Sequence, residues 1–398
     1  MDTEAKAKKG RKWWQHIFRA AGTLDAPFIL ILLLLLAIGL ICLFSASYIY
    51  ADYYDGDSFF YIRKQFIFAL IGIVALFGVS FFDYHILHRL TWPIFGLSLL
   101  LLIVVFFVPS PTGIQRWIDL PGIGGFQPSE LAKFAIILAF SHLISINHKR
   151  MNKFTVGFVP FVCLLGVVAA LVLFEPHLSG TILIVAIGAI LMFVGGTNPA
   201  YLLGVGALGI GAVVLLVGVF GYEAERIAVW QNPLEVFNSG SEGRDMAWQT
   251  VQSLYAIGSG GLMGLGLGNS VEKHLFLPEP QNDFIFAIVC EELGFVGAAL
   301  IIVLFGLLVW RGIVISMRAA DKFGAMLAMG ISAQIGVQVI LNIMVVTNLM
   351  PNTGIGLPFF SYGGSSLVMI MAQMGVILSV SRQARQKAKL TTIPKEAK

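Results

Sequence analysis

Apolar residues dominate ten stretches of this chain, at about 26–47, 64–82, 90–108, 129–146, 155–174, 178–195, 200–220, 284–310, 324–347 and 362–381. About 20 such residues in a helix cross the ~30 Å hydrocarbon core of a bilayer. The pattern therefore predicts an all-α polytopic membrane protein with about ten transmembrane helices. The stretch at 178–195 is the tightest fit, bounded by Pro176 and Pro199. One connection breaks the rhythm. Residues 221–283 form a long segment outside the membrane that is too apolar for a disordered linker. Connections this long in a compact fold usually carry function, and Trp230, Phe237, Trp248 and Tyr255 suit interfacial helices lying on the bilayer.

Composition sharpens the class. Of 398 residues, 57% are hydrophobic and 12% charged, and the mean hydropathy is +0.85. A soluble domain carries about 25% charged residues, so neither a water-soluble globule nor a disordered chain fits. The net charge of +4 does not argue for nucleic acid, but its distribution gives an orientation. With the N-terminus in the cytoplasm, 19 of the 26 Lys and Arg fall on the inner side. The outer seven are Arg63, Lys64, Arg116, Lys133, Arg226, Arg244 and Lys273. This bias places both termini in the cytoplasm, in agreement with an even number of spans. Residues 1–25 and 383–398 read as basic cytoplasmic tails around a membrane domain at 26–382. The first apolar run exceeds a secretory signal's core of about 7–15 residues and is expected to stay in the membrane. Cys42, Cys163 and Cys290 lie inside apolar runs without metal-ligand spacing.

Polar residues near lipid are costly and tend to mark a water-accessible cavity. Four clusters stand out at the outer helix ends: Gly113–Ile118, Phe126–Lys133, Glu175–Gly180 and Leu277–Phe286. The stretches FQPSELAK, LPEPQNDFIFAIVCEELG and PNTGIGLPFFSYGGSSL resemble the signatures of the SEDS family (shape, elongation, division and sporulation proteins), and the likeness runs from about Leu24 to Arg382. The stretch GLGNSVEKHLFLPE is more similar to the division branch than to the elongation branch. The resemblance implies a peptidoglycan glycosyltransferase of the bacterial plasma membrane. It would polymerise lipid II into β-1,4-linked glycan at the outer face, in septal wall synthesis. Its implied partners are lipid II, the lipid-linked glycan, a class B penicillin-binding protein and other division proteins.

Asp283 matches the acidic residue taken as catalytic in the family. A carboxylate can accept the proton of an attacking sugar hydroxyl; the competing reading of Asn282-Asp283 is a cap on the helix that follows. The departing lipid pyrophosphate needs cations. Arg116 and Lys133 lie within matched motifs, and Arg226, Arg244 and Lys273 are further candidates, with anchoring at the lipid headgroups as the alternative. A divalent cation, Mg2+ or Mn2+, could share this work, although no sequence motif establishes one. Glu130 stands three residues before Lys133 and can pair with it. Where family members carry a QPDLGT-like motif this chain reads EPHLSG: His177 replaces the acidic residue and Glu175 keeps one carboxylate nearby. Inter-helix hydrogen bonds are expected for Glu291 and Glu292. The glycine run 258–268 lacks the Gly-Lys-Ser/Thr of a phosphate loop and reads as close backbone approach to a helix or to substrate. Small residues around Ser365 suit tight helix packing. Two other functions remain open on sequence: a lipid II flippase, and a noncatalytic scaffold for the penicillin-binding protein.

Overall fold

A computed structural model describes residues 23–108, 116–120, 124–175, 177–207, 209 and 224–392. The N-terminal basic tail, the 113–115 part of the first polar cluster, Pro176 and most of the expected span at 200–220 lie outside the described residues. Among the described residues, nine helical stretches are long and apolar enough to cross a membrane.

The first six are α1 (Ala26–Asp55), α2 (Phe60–Phe81), α3 (His85–Val104), α4 (Pro128–Asn147), α5 (Val159–Phe174) and α6 (Leu178–Gly195). Three shorter helices follow in the long connection: α7 (Ala224–Gln231), α8 (Pro233–Asn238) and α9 (Ser241–Ser259). The chain then re-enters the bundle as α10 (Ile285–Met317), α11 (Lys322–Val346) and α12 (Gly364–Thr392). The last helix runs through the expected domain boundary at 382.

The most deeply buried spans are α4, α11 and α12. Residues Ala132–Phe140 of α4 are all buried, including Lys133. Around them α2 lies along α12, α3 along α4, and α10 between α1 and α11. Lipid is as apolar as the core, so small and polar residues rather than hydrophobicity sort the inner helices from the outer ones.

The expected interfacial helices are present, but α9 is more than a surface helix. It buries Ala247, Val251 and Ala256 and packs on α10, while Trp248 Nε1 donates to the Phe276 carbonyl at 2.5 Å. A small element had no sequence signal: β1 (Ile118–Leu120) pairs antiparallel with β2 (Gly124–Phe126), Ile118 opposite Phe126.

The glycine run explains an interruption in α10. Gly294 there has φ 65° and ψ −171°, which breaks the helical ladder. The run repairs it with backbone alone: Leu265 and Gly266 N–H donate to the carbonyls of Glu291 and Glu292, and Phe295 and Val296 N–H donate to Gly261 and Leu262. A Cβ on Gly264, which has φ 79°, would sit 2.2 Å from the Glu292 carbonyl oxygen. Gly264→Ala should therefore cost about 3 kcal/mol through strain and overlap. Gly258→Ala, which would meet nothing within 4 Å, should stay near wild type when thermal midpoints in detergent are compared.

At the end of the bundle away from the polar clusters, charged groups close the helix turns. Asp25 caps α1 by accepting from Phe28 N and takes a bidentate pair from Arg311 at 2.9 Å. Tyr84 donates to Asp321, and His85 bridges Asp83 and Asp321. Gln383 of α12 donates to Asp83 at 3.0 Å. The hydrogen bonds of His85 and Gln383 hold the Asp83 carboxyl below its usual range against the opposing effect of burial.

Candidate functional site

Four connections converge at the opposite end: the hairpin after α3, the α5–α6 turn, the segment before α10, and the α11–α12 loop. They enclose a cavity of about 1130 Å³ whose lining includes Arg116, Lys133, His177, Asp283, Gln338 and Tyr362. A space this large holds a substantial ligand, and its rim is polar where the spans are not.

Asp283 reaches the cavity from a turn whose backbone is held by its neighbours. Asn342 of α11 donates from one amide to the carbonyls of both Asp283 and Ile355 at 2.7 Å. Ser361 donates to the Asn282 carbonyl at 2.6 Å, and Tyr362 N–H to the Gln281 carbonyl at 2.8 Å. The carboxylate itself meets its own backbone N–H and takes no bond from another side chain among the described residues. It does not cap α10, whose N-cap is Phe284 with no side-chain bond, and a Cβ on Gly354 would lie 3.6 Å from the Asp283 Oδ2, an ordinary contact. Burial raises the Asp283 carboxyl to about 6; its own backbone N–H opposes the rise and the Glu279 charge adds to it. The cap reading is thereby set aside: the side chain lines the cavity instead.

The predicted cations separate into two sets. Arg116 and Lys133 line the cavity. Arg116 Nε donates to the Glu175 carbonyl at 3.1 Å, and Lys133 Nζ pairs with Glu130 Oε1 at 2.7 Å. Each is aimed by a neighbour, and the expected Glu130–Lys133 pair is formed. Arg226 and Arg244 lie elsewhere. Arg226 borders a separate depression of about 210 Å³ beside Trp230 and Asn348, and the Arg244 guanidinium lies 5.4 Å from the Phe237 ring centre.

Lys273 requires correction as a substrate-binding residue. It is 0% exposed and its Nζ lies 2.7 Å from Glu292 Oε1, with Ser45 of α1 donating to both Glu292 oxygens. Lys133, although also paired with a buried glutamate, lines the cavity, whereas Lys273 does not. A lysine so enclosed cannot meet a phosphate without first leaving a buried carboxylate unpaired. Ser365 does not line the cavity either; it donates to the Gly125 carbonyl at 2.9 Å and ties α12 to the hairpin.

Glu175 and His177 form the cavity's hidden flank. Glu175 is 0% exposed and neither carboxylate oxygen has a hydrogen-bond partner among the described residues. Burial pushes its carboxyl up to about 8, outweighing the Arg116 charge. His177 meets Gln127 Nε2 through Nδ1 at 3.2 Å. Burial, then Arg116, then Lys133 lower the imidazole to about 3, so it stays neutral. The acid that sequence reading kept at Glu175 is thus a neutral group near pH 7.

Sequence reading missed the inward face of α11. Gln334, Gln338 and Asn342 recur every four residues in an apolar helix, all buried, a spacing that marks a single polar face. Gln338 donates to the Gly356 carbonyl at 2.9 Å, so this face holds the loop that walls Asp283. Among the described residues, no three His, Cys, Asp or Glu side chains gather as a metal cage.

The chain is similar to known proteins in sequence and in fold. A family described as cell cycle protein, FTSW_RODA_SPOVE, matches residues 25–386. Stage V sporulation protein E of Bacillus subtilis (strain 168) is 41% identical over 373 residues, covering 91% of this chain and 98% of that protein. A probable peptidoglycan glycosyltransferase FtsW of Geobacter sp. (strain M18) is 35% identical, covering 92% and 98%. Among solved structures, one from work titled "Structural coordination of polymerization and crosslinking by a peptidoglycan synthase complex" aligns with a TM-score of 0.74 at 25% identity, covering 92% of this chain and 99% of that one. The rod shape determining protein RodA of Thermus thermophilus aligns at 0.65 and 27% identity, covering 92% and 98%. With nearly its whole length matched in sequence and in fold, the chain belongs to the FtsW/RodA/SpoVE family of cell cycle proteins.

Proposed function

We propose that this chain is a peptidoglycan glycosyltransferase that polymerises lipid II, with Asp283 as the general base. The observation that carries the reading is an uncapped carboxylate, raised to about 6, lining a large cavity together with two oriented cations, Arg116 and Lys133. The acceptor's N-acetylglucosamine 4-hydroxyl gives its proton to Asp283 and attacks the anomeric carbon of the donor's N-acetylmuramic acid. The C1–O bond to the lipid pyrophosphate breaks with inversion, giving a β-1,4 link. Arg116 and Lys133 take up the charge of the departing diphosphate. Glu279 also lines the cavity and, with phosphate and water as the other ligands, suits a divalent cation; such an ion would add positive charge at the leaving group and leave Asp283 free as the base.

The Lys and Arg bias supports an outer-face site with both termini in the cytoplasm. A class B penicillin-binding protein as partner is supported by the neighbour's title, which couples polymerization to crosslinking. We place the activity in septal wall synthesis on the likeness to the division branch and the FtsW relatives. A polar lining concentrated at one end of the bundle favours an enzyme over a flippase, which needs a polar path along the whole route.

The test is purified protein, with and without its partner, given fluorescent lipid II in detergent and scored for polymer on a gel. No polymer under either condition would overturn the reading. The base must be unprotonated to act, so kcat/KM should fall as pH drops through about 6, the value to which burial raises Asp283. A profile flat from pH 5 to 8 would remove Asp283 from the role of base.

A further inference from the structure

Beside the cavity the end of α1 carries an unusual density of tyrosine. Tyr362 lines the cavity and meets Tyr61 edge to face, ring centres 4.9 Å apart. Tyr61 lies 6.1 Å from Tyr50, Tyr50 lies 4.5 Å from Tyr54, and Tyr54 lies 4.9 Å from Tyr53. The rings form a continuous track from the cavity wall outward. Its inner members are half-buried, while Tyr53 and Tyr54 are 69% and 64% exposed.

Tyrosines near a bilayer commonly anchor a helix at the interface, and the length of α1 brings these rings to that level or past it. Its 30 residues span about 45 Å at 1.5 Å per residue, against ~30 Å of hydrocarbon. The helix starts at a polar boundary, the Asp25–Arg311 pair, so its last turns stand beyond the hydrocarbon. Those turns also carry exposed Asp52 and Asp55. Asp52 accepts from Ser58 and Asp57 pairs with Arg63. Asp55 has no side-chain partner among the described residues.

We infer that this track is a saccharide-binding shelf that holds the glycan strand next to the catalytic cavity. The face of a pyranose presents C–H groups of slight positive charge, which suit the negative face of an aromatic ring, and the free Asp55 carboxylate accepts from sugar hydroxyls or N-acetyl amides. Tyr362 links shelf to chemistry, because its backbone N–H bonds to Gln281, two residues before Asp283. A strand resting on the shelf stays near the site between additions, which lengthens the product more than it speeds each step. The inference rests on the glycosyltransferase reading, and its test keeps the two apart.

Full-length protein carrying Tyr53→Leu with Tyr54→Leu is compared with the Tyr53→Phe, Tyr54→Phe pair in the lipid II assay. Leucine keeps an apolar anchor but removes the ring; phenylalanine keeps the ring. Strand length should fall at least threefold more than lipid II consumption in the leucine pair and be retained in the phenylalanine pair. Wild-type strand length in the leucine pair, or equal shortening in both pairs, overturns the shelf. A footprint on the wild-type protein needs neither turnover nor variants. Chitotetraose, a β-1,4-linked N-acetylglucosamine tetramer, should protect Tyr53 and Tyr54 from nitration by tetranitromethane where maltotetraose does not. Absence of that selective protection also overturns the proposal, whereas a wild-type protein that consumes no lipid II instead sinks the parent reading.

Discussion

Asp283→Asn leaves the purified protein folded and lowers lipid II polymerisation by about 10²–10⁴-fold, the range that a positioned base contributes. The expectation follows from how the turn is built. The bonds that tie residues 281–283 to α11 and to the α11–α12 loop go to backbone carbonyls, from Asn342, from Ser361 and from the Tyr362 amide. Among the described residues, the one side-chain bond of the turn belongs to Asn282, which donates to Glu279. An amide at position 283 therefore changes charge and proton affinity without removing a structural contact. The residual rate of the variant should also lose the fall near pH 6. A variant that polymerises at the wild-type rate, with an unaltered thermal midpoint, would assign the proton transfer to another group.

Lys273→Met is expected to destabilise the protein by about 3–5 kcal/mol, because it strands the buried Glu292 carboxylate. The Lys273→Met, Glu292→Met double variant should recover most of that loss, since apolar replacement of a whole buried pair is often neutral or better. Thermal midpoints of the two single variants and the double variant in one detergent decide this. A substrate-binding lysine predicts the opposite: Lys273→Met would keep its midpoint and raise KM, and Glu292→Met would give no rescue. The pair joins the segment before α10 to α1 through Ser45, so its loss should loosen the ground on which the Asp283 turn stands.

The helical architecture was legible because hydrocarbon thickness imposes a length on apolar runs. Their ends were less so. The expected first span stops at 47, yet α1 continues to Asp55, since a helix longer than the hydrocarbon is thick can continue with Tyr and Asp beyond it. The break at Gly294 was hidden because glycine is tolerated in membrane helices and nothing local says that a distant loop supplies the missing bonds. At the site, Asp283, Arg116, Lys133 and Glu130 could be named from polarity at helix ends and from motif likeness. Lys273 could not be placed, because a lysine in a connecting segment looks the same on paper whether it faces water or a buried glutamate. Glu291 and Glu292 were expected to make inter-helix bonds. Glu292 does so with Ser45, whereas Glu291 turns to the loop and accepts from Ser270 Oγ and Val271 N–H.

Membranes thin and thicken, and long spans answer by tilting. A continuous α10 would carry such a tilt directly to the residues that follow Asp283. The rod is instead divided at Gly294, and the portion nearer the site is bonded to the glycine run and, through Glu292, to α1. The glycine run bonds both portions across the division, so the turn that carries Asp283 is tied to that loop and to α1, and not only to the rest of the helix, when the thickness of the surrounding lipid changes.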